Sequence, residues 1–182
     1  IDMKWLIASD IHGSAHYCRM LLGAIEREQA DTILILGDML YHGPRNDLPE
    51  GYAPKEVIAM LNPLKEKIIA VRGNCDGEVD QMVLDFPIMA DYSVICDSGL
   101  VIYATHGHHS GEANPPAFAK NSILLCGHTH IPACNDHGDF IYMNPGSVSI
   151  PKNGSVHGYM TMEDRHFEWK DLDGSVVSEI RL

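Results

Sequence analysis

Two histidines one residue apart, His128 and His130, stand in the segment CGHTHIP, residues 126–132, with Cys134 just beyond it. Imidazole and thiolate together are the donors of structural zinc sites. A site built from Cys126, His128, His130 and Cys134 would be cramped, however. Cys126 ends an apolar run, where alternation turns its thiol toward the core, and Cys134 lies past Pro132. Four other segments end in residues of the same chemistry: Asp10-Ile11-His12, Gly37-Asp38, Arg72-Gly73-Asn74 and His106-Gly107. Taken with His128 and His130, they offer imidazole nitrogens, carboxylate oxygens and an amide oxygen, a donor set suited to a borderline divalent metal. Asp10 and His12, like His128 and His130, are spaced by two, which in an extended segment points both side chains to one side. The glycines beside these residues permit tight turns and close backbone approach.

Each donor group follows an apolar run. KWLIAS (4–9), TILIL (32–36), KIIAV (67–71), LVIYAT (100–105) and SILLC (122–126) read as strands, so all five groups sit beyond carboxyl ends, where α/β sheets form their sites. Between the first three runs lie a helical pattern over 14–28, with Ser14 as N-cap, and another opening at Pro54 and reaching the second proline, Pro63. That β-α-β-α-β rhythm implies a parallel sheet. The second half adds strand signals at 93–99, 139–144, 158–164, 166–172 and 175–180, with a hairpin over MEDRHFEW, and is expected to be mostly antiparallel. Two mixed sheets packed face to face with helices outside satisfy both halves.

The chain has 182 residues, enough for a single domain with a real core, here taken as 1–182 with Ile1 and Asp2 as an expected remnant before Met3. A net charge of −12 argues against non-specific nucleic-acid binding, which needs Lys and Arg to neutralise phosphates. A phosphate-bearing substrate stays open, because a bound metal reverses the local field. No apolar run approaches the ~20 residues that cross a bilayer. Five scattered cysteines form no disulfide framework, which leads to the expectation of a reducing, cytoplasmic setting. Cys18 and Cys96 read as core thiols.

Five motifs in order, SDIHG, LGD, RGNCD, THGH and CGHTH, resemble the signature of the calcineurin-like metallophosphoesterases, and within them the small bacterial phosphodiesterases. HGPRNDLPEGYAP and NPGSVSIPK extend the likeness over nearly the whole chain. The resemblance implies a four-layer α/β/β/α sandwich. It also implies two divalent ions, one held by Asp10, His12 and His130 with Asp38 bridging, the other by Asp38, Asn74, His106 and His128. Two dications bring +4 and two carboxylates return −2, so a surplus of about +2 remains for a phosphate anion. Such a pair, roughly 3.5–4 Å apart, activates a bridging water and clamps the oxygens of an in-line displacement. The reaction implied is hydrolysis of a small phosphodiester by metal-bound hydroxide. Phosphomonoester or phosphoprotein hydrolysis is the neighbouring alternative, and a non-catalytic interaction scaffold the more distant one. A scaffold would tolerate lost ligands, whereas all seven positions are filled here. Nitrogen and oxygen donors fit manganese first, with iron, zinc, cobalt or nickel as alternatives. A homo-oligomer is an expected partner, since small enzymes of this kind often pair.

One departure stands out. Many superfamily members carry a histidine after the asparagine ligand, as acid for the leaving group; this chain has Cys75. A thiol is a poorer acid than imidazolium at neutral pH, so the enzyme either favours substrates whose leaving group needs little protonation or leaves the role to His42, His108 or His109, unless Cys75 simply packs. Asp76 either orients a ligand or caps a helix over 75–84. Arg45, in the long proline-rich segment 41–54, could offer its planar fork to a phosphate oxygen.

Overall fold

The computed structural model describes residues 3–117 and 121–182, so the expectation for Ile1 and Asp2 lies outside the described residues. Strand β1 (Trp5–Ala8) is buried on both faces and pairs in parallel with β2 (Thr32–Ile35), which pairs in parallel with β3 (Ile68–Ala70). Between them run α1 (Ala15–Glu28) and α2 (Pro54–Leu61), the latter continued by a 3-10 turn at Asn62–Leu64. The Ser14 hydroxyl accepts the Tyr17 amide at 3.1 Å, so α1 starts on the side-chain cap expected for that residue. Pro54 opens α2 where its missing N–H costs nothing.

After the short helix α3 (Glu78–Gln81) come β4 (Tyr92–Asp97), β5 (Leu100–Thr105), β6 (Ser122–Leu125), β7 (Pro132–Asp136), β8 (Phe140–Pro145), β9 (Gly158–Glu163), β10 (His166–Asp171) and β11 (Val176–Arg181). They form two mixed sheets, ordered β11-β10-β9-β1-β2-β3 and β4-β5-β6-β8-β7. The hairpin joining β9 and β10 turns on Asp164 and Arg165, both left-handed (φ 45° and 63°), as a two-residue loop between right-twisted strands requires. In the second sheet β5, β6 and β8 are parallel neighbours, a feature the short-turn pattern of the sequence did not imply. Strand β7 was also missed, because Pro132 and the polar residues after it carry no strand signal.

Two apolar layers hold this together. Leu6, Ile33, Ile35 and Ile68 face Cys18, Leu21, Ile25, Val57 and Leu61 of the helices. Ile7, Leu34, Met160, Phe167 and Trp169 face Ile102, Ile123, Leu125 and Met143 of the second sheet. The Trp169 indole donates to the Asn144 carbonyl at 2.7 Å, tying one sheet to the other. A smaller cluster of Leu124, Cys126 and Tyr142 lies on the outer face of the second sheet. Cys96, expected in the core, is exposed, because alternation along β4 buries Ile95 instead. Among the described residues no helix is long and apolar enough to cross a membrane.

The last turn of α1 is anchored by Glu28, which is 8% exposed. Its carboxylate meets Lys170 (3.0 Å) and Lys4 (2.9 Å) and accepts the Tyr159 hydroxyl at 2.8 Å. Burial pushes this acid up, but the three partners win and hold it at about 2. A carboxyl depressed on folding adds stability above its unfolded pKa and loses it as pH falls through the folded one. Glu28→Gln is therefore expected to cost ~3 kcal/mol at pH 7 and progressively less from pH 4.5 to 2. Urea unfolding at both extremes checks this; a cost independent of pH would contradict it.

Candidate active site

The carboxyl ends of the parallel strands of both sheets open on one rim, and the chemistry-bearing residues gather there. Asp10, His12 and Asp38 follow β1 and β2, Asn74 follows β3, and His106, His128 and His130 follow β5 and β6. Asp10 with His12, and His128 with His130, do face one side, but not through extended backbone. Asp10, His12, Asp38, His128 and His130 are not extended; all five are left-handed, with φ of 59°, 48°, 56°, 65° and 60°. Residues other than glycine adopt this region at a cost of about 1–3 kcal/mol each, and such residues concentrate at functional sites. Close approach of the loops needs two glycines. A Cβ on Gly73 would strike the Asp38 carboxylate, and one on Gly127 would strike the Ser9 hydroxyl.

The imidazoles are held by their outer nitrogens. Nδ1 of His12 contacts the Tyr41 carbonyl at 2.8 Å, that of His106 the Leu36 carbonyl at 2.6 Å, and that of His130 the Ile150 carbonyl at 2.6 Å. A carbonyl only accepts, so each Nδ1 carries the proton and each Nε2 turns a lone pair inward. There they crowd. Nε2 of His12 and Nε2 of His130 are 3.2 Å apart, and Oδ1 of Asp10 lies 3.2 Å from the second and 3.5 Å from the first. Among the described residues that buried Oδ1 meets no hydrogen-bond donor. Oδ2 of Asp38 stands between the two halves, 3.7 Å from His12 and 3.3 Å from His106, whose Nε2 is also 3.1 Å from the Asn74 amide oxygen. The half-buried His128 ring flanks His106, with centroids 5.0 Å apart.

Lone pairs facing lone pairs call for positive charge. Burial lowers the pKa of His106, yet the Asp38 contact and the charges of both aspartates raise it to about 9. Burial likewise pushes Asp10 up, but His12 and His130 bring it well below the usual carboxylate range. The donor set thus fits divalent cations: Asp10, His12 and His130 form one tight group, and Asp10, Asp38 and His106 another.

Cys75 lines the cleft, its Sγ 3.3 Å from the Asn74 amide nitrogen, and its backbone N–H donates to Asp38 Oδ1 at 2.8 Å. Burial, and then Asp38, push its thiol up to about 12. Arg45 also lines the cleft, an opening of about 440 Å³. His108 does not. It lies behind His106 (centroids 5.4 Å) and lines a neighbouring hollow with Glu112, Asn114 and Tyr142, because Gly107 turns the chain away at φ 108°. Burial and then His106 push His108 down to about 4, so it is neutral at pH 7. Asp76 is not the helix cap; Gly77 holds that position. The Asp76 carboxylate instead accepts three backbone N–H groups, from Asp38 (2.8 Å), Met39 (3.0 Å) and Gly73 (2.8 Å), and so fixes the loop that presents Asp38. Cys126 and Cys134 belong to neither donor group.

Sequence reasoning did not single out Ser147 and Ser149. Their hydroxyls both donate to the Asp10 carbonyl, at 2.9 and 3.1 Å. Asn144 ties the same stretch to the histidine loop, donating to the Gly127 carbonyl at 2.7 Å. Lys152, on the cleft wall, carried no signal beyond its charge.

Residues 3–165 match the family profile of the calcineurin-like phosphoesterase superfamily domain. The chain belongs to this superfamily. As a member it is a metal-dependent phosphoesterase, and its two mixed sheets flanked by helices are the fold of that family. It is 48% identical over 181 residues to the phosphodiesterase YfcE of Escherichia coli, covering 99% of this chain and 98% of that one. The solved structure of that phosphoesterase superposes with a TM-score of 0.94 at 45% identity, covering 98% of each chain. The phosphodiesterase MJ0936 of Methanocaldococcus jannaschii is 25% identical over 79% of this chain and 83% of its own. The Cryptosporidium parvum vacuolar protein sorting 29, 15% identical with a TM-score of 0.65 over 100% of this chain and 99% of its own, shares the fold alone.

Removing the Asp76 carboxylate would strand three amides beneath Asp38, each worth about 1–3 kcal/mol when buried and unpaired. Asp76→Ala is expected to lose at least ~3 kcal/mol of stability and to weaken divalent-metal binding by about 10–100-fold. Urea unfolding and calorimetric titration with Mn²⁺ measure the two; unchanged metal affinity would contradict the positioning role.

Proposed function

We propose that this protein hydrolyses small phosphodiesters with two divalent ions, Mn²⁺ first among them by donor type. The observation that carries the reading is the position of the Asp38 carboxylate, within reach of both imidazole groups at the base of an open cleft. In this reading Asp10, His12, His130 and Asp38 hold one ion, and Asp38, Asn74, His106 and His128 the other. Bound there, the two ions would neutralise the phosphate and supply hydroxide as the nucleophile. The residues of the chain do the rest. Backbone carbonyls keep Nδ1 protonated on His12, His106 and His130, so each Nε2 is free as a donor atom. Arg45 and Lys152 bring positive charge to the cleft wall of an otherwise acidic protein.

At position 75 a thiol, a weaker acid than imidazolium, borders the cleft. The reading is therefore that aryl diesters, whose leaving groups need little protonation, are the better substrates. Bis(p-nitrophenyl) phosphate is expected to turn over with added Mn²⁺ and to stop under chelation. Asp38→Ala is expected to lose metal loading and at least about a thousandfold in kcat/KM, ~4 kcal/mol; full activity in that variant would refute the scheme. Cys75→His should raise turnover of an alkyl diester by at least about tenfold and leave the aryl diester nearly unchanged. No change on either substrate would return Cys75 to a packing role.

A further inference from the structure

A second depression, of about 790 Å³, runs from the cleft along the segment 41–54 and α3. It shares Pro44, Arg45, Asn74 and Cys75 with the cleft, so the two form one continuous surface. Beyond Arg45 its walls are chiefly apolar: Tyr41, Tyr52, Ile58, Val79 and Val83. Several of these are left in water, with Val79 74%, Tyr41 42% and Val83 41% exposed. The aromatic wall is braced, since the His42 ring meets Tyr41 and Tyr52 edge-on at 4.8 and 5.2 Å. The two carboxylates along the groove are already engaged. Asp76 takes its three amides, and Asp80 accepts the Gly77 amide at 2.7 Å. Among the described residues Arg45, at the mouth, is the one Lys or Arg lining it.

Resting on the phosphodiesterase reading, we propose that this groove is a subsite for one ester arm of the substrate, and that the arm is a neutral aryl or similarly flat apolar group. Continuity with the cleft means that an arm joined to a phosphate at Arg45 and Asn74 enters the groove without leaving the surface. With no Lys or Arg beyond Arg45 among the described residues and two carboxylates along its length, the groove disfavours a second phosphate. The exposed valines and tyrosine supply apolar area for the arm to cover.

Two non-hydrolysable phosphonates with a single arm test this: phenylphosphonate and methylphosphonate. Their inhibition constants against bis(p-nitrophenyl) phosphate hydrolysis would be measured on the Mn²⁺-loaded protein, alongside dissociation constants from calorimetry. Phenylphosphonate is expected to bind about tenfold tighter, ~1.4 kcal/mol. In the double variant Val79→Asn with Val83→Asn the ratio should fall to within about twofold. Val79→Asn alone, at a largely exposed position, keeps the comparison readable if the double variant does not fold. A wild-type ratio near one, or a high ratio untouched by the substitutions, would overturn the subsite. Failure of the wild-type protein to turn over the diester at all would instead overturn the functional reading, and the subsite with it.

Discussion

Three atoms able only to accept hydrogen bonds meet below the cleft: Oδ1 of Asp10 and the Nε2 atoms of His12 and His130, the closest pairs 3.2 Å apart. Each histidine has committed its Nδ1 proton to a backbone carbonyl, so no neutral tautomer relieves the contact. In a buried pocket such crowding is repulsive unless positive charge enters it. The raised pKa of His106 reports the same demand a few ångströms away, where Asp38 contributes its charge. Two divalent ions are the proposed answer. The arrangement of the rim makes sense as a device for holding these lone pairs together.

Holding them has a conformational cost that the fold offsets. Five of the donor residues sit in the left-handed region, and each is fixed by hydrogen bonds that leave it little choice. The Asp10 carbonyl takes two serine hydroxyls and its amide donates to the Gly37 carbonyl; the His12 amide donates to the Asp38 carbonyl. Asp76 gathers three amides of the Asp38 and Asn74 loops into one carboxylate. The loops can approach so closely because Gly73 and Gly127 lack a Cβ. Beneath them β1 and β6, buried throughout, and β2, buried from Ile33 on, set the rim, and the Trp169 bond to Asn144 ties one sheet to the other.

Much of this was legible in the sequence. Apolar runs ending in Asp, Asn or His placed the donors at strand ends, and alternation of helix and strand gave the parallel half. What the sequence concealed was conformational or second in line. Spacing of two reads as extended backbone, yet left-handed geometry brings the same side chains together; only the neighbouring glycines hinted at it. For Asp76 the sequence left capping and ligand orientation both open, because Asp before a helical pattern is usually a cap, while its actual partners are amides up to 38 residues away in sequence. Ser147 and Ser149 act on a carbonyl of Asp10, a contact that no local pattern encodes. His108 followed a donor closely in sequence, but one glycine turned it to the other side of the loop.

Cations filling the space among these lone pairs are tested most directly by diffraction. Crystals grown with Mn²⁺, with data collected on both sides of the manganese absorption edge, should give two anomalous peaks per chain. One is predicted among Asp10, His12 and His130, the other among Asn74, His106 and His128, with Asp38 between them. No peak at this rim under saturating Mn²⁺, or peaks elsewhere on the protein only, would contradict it.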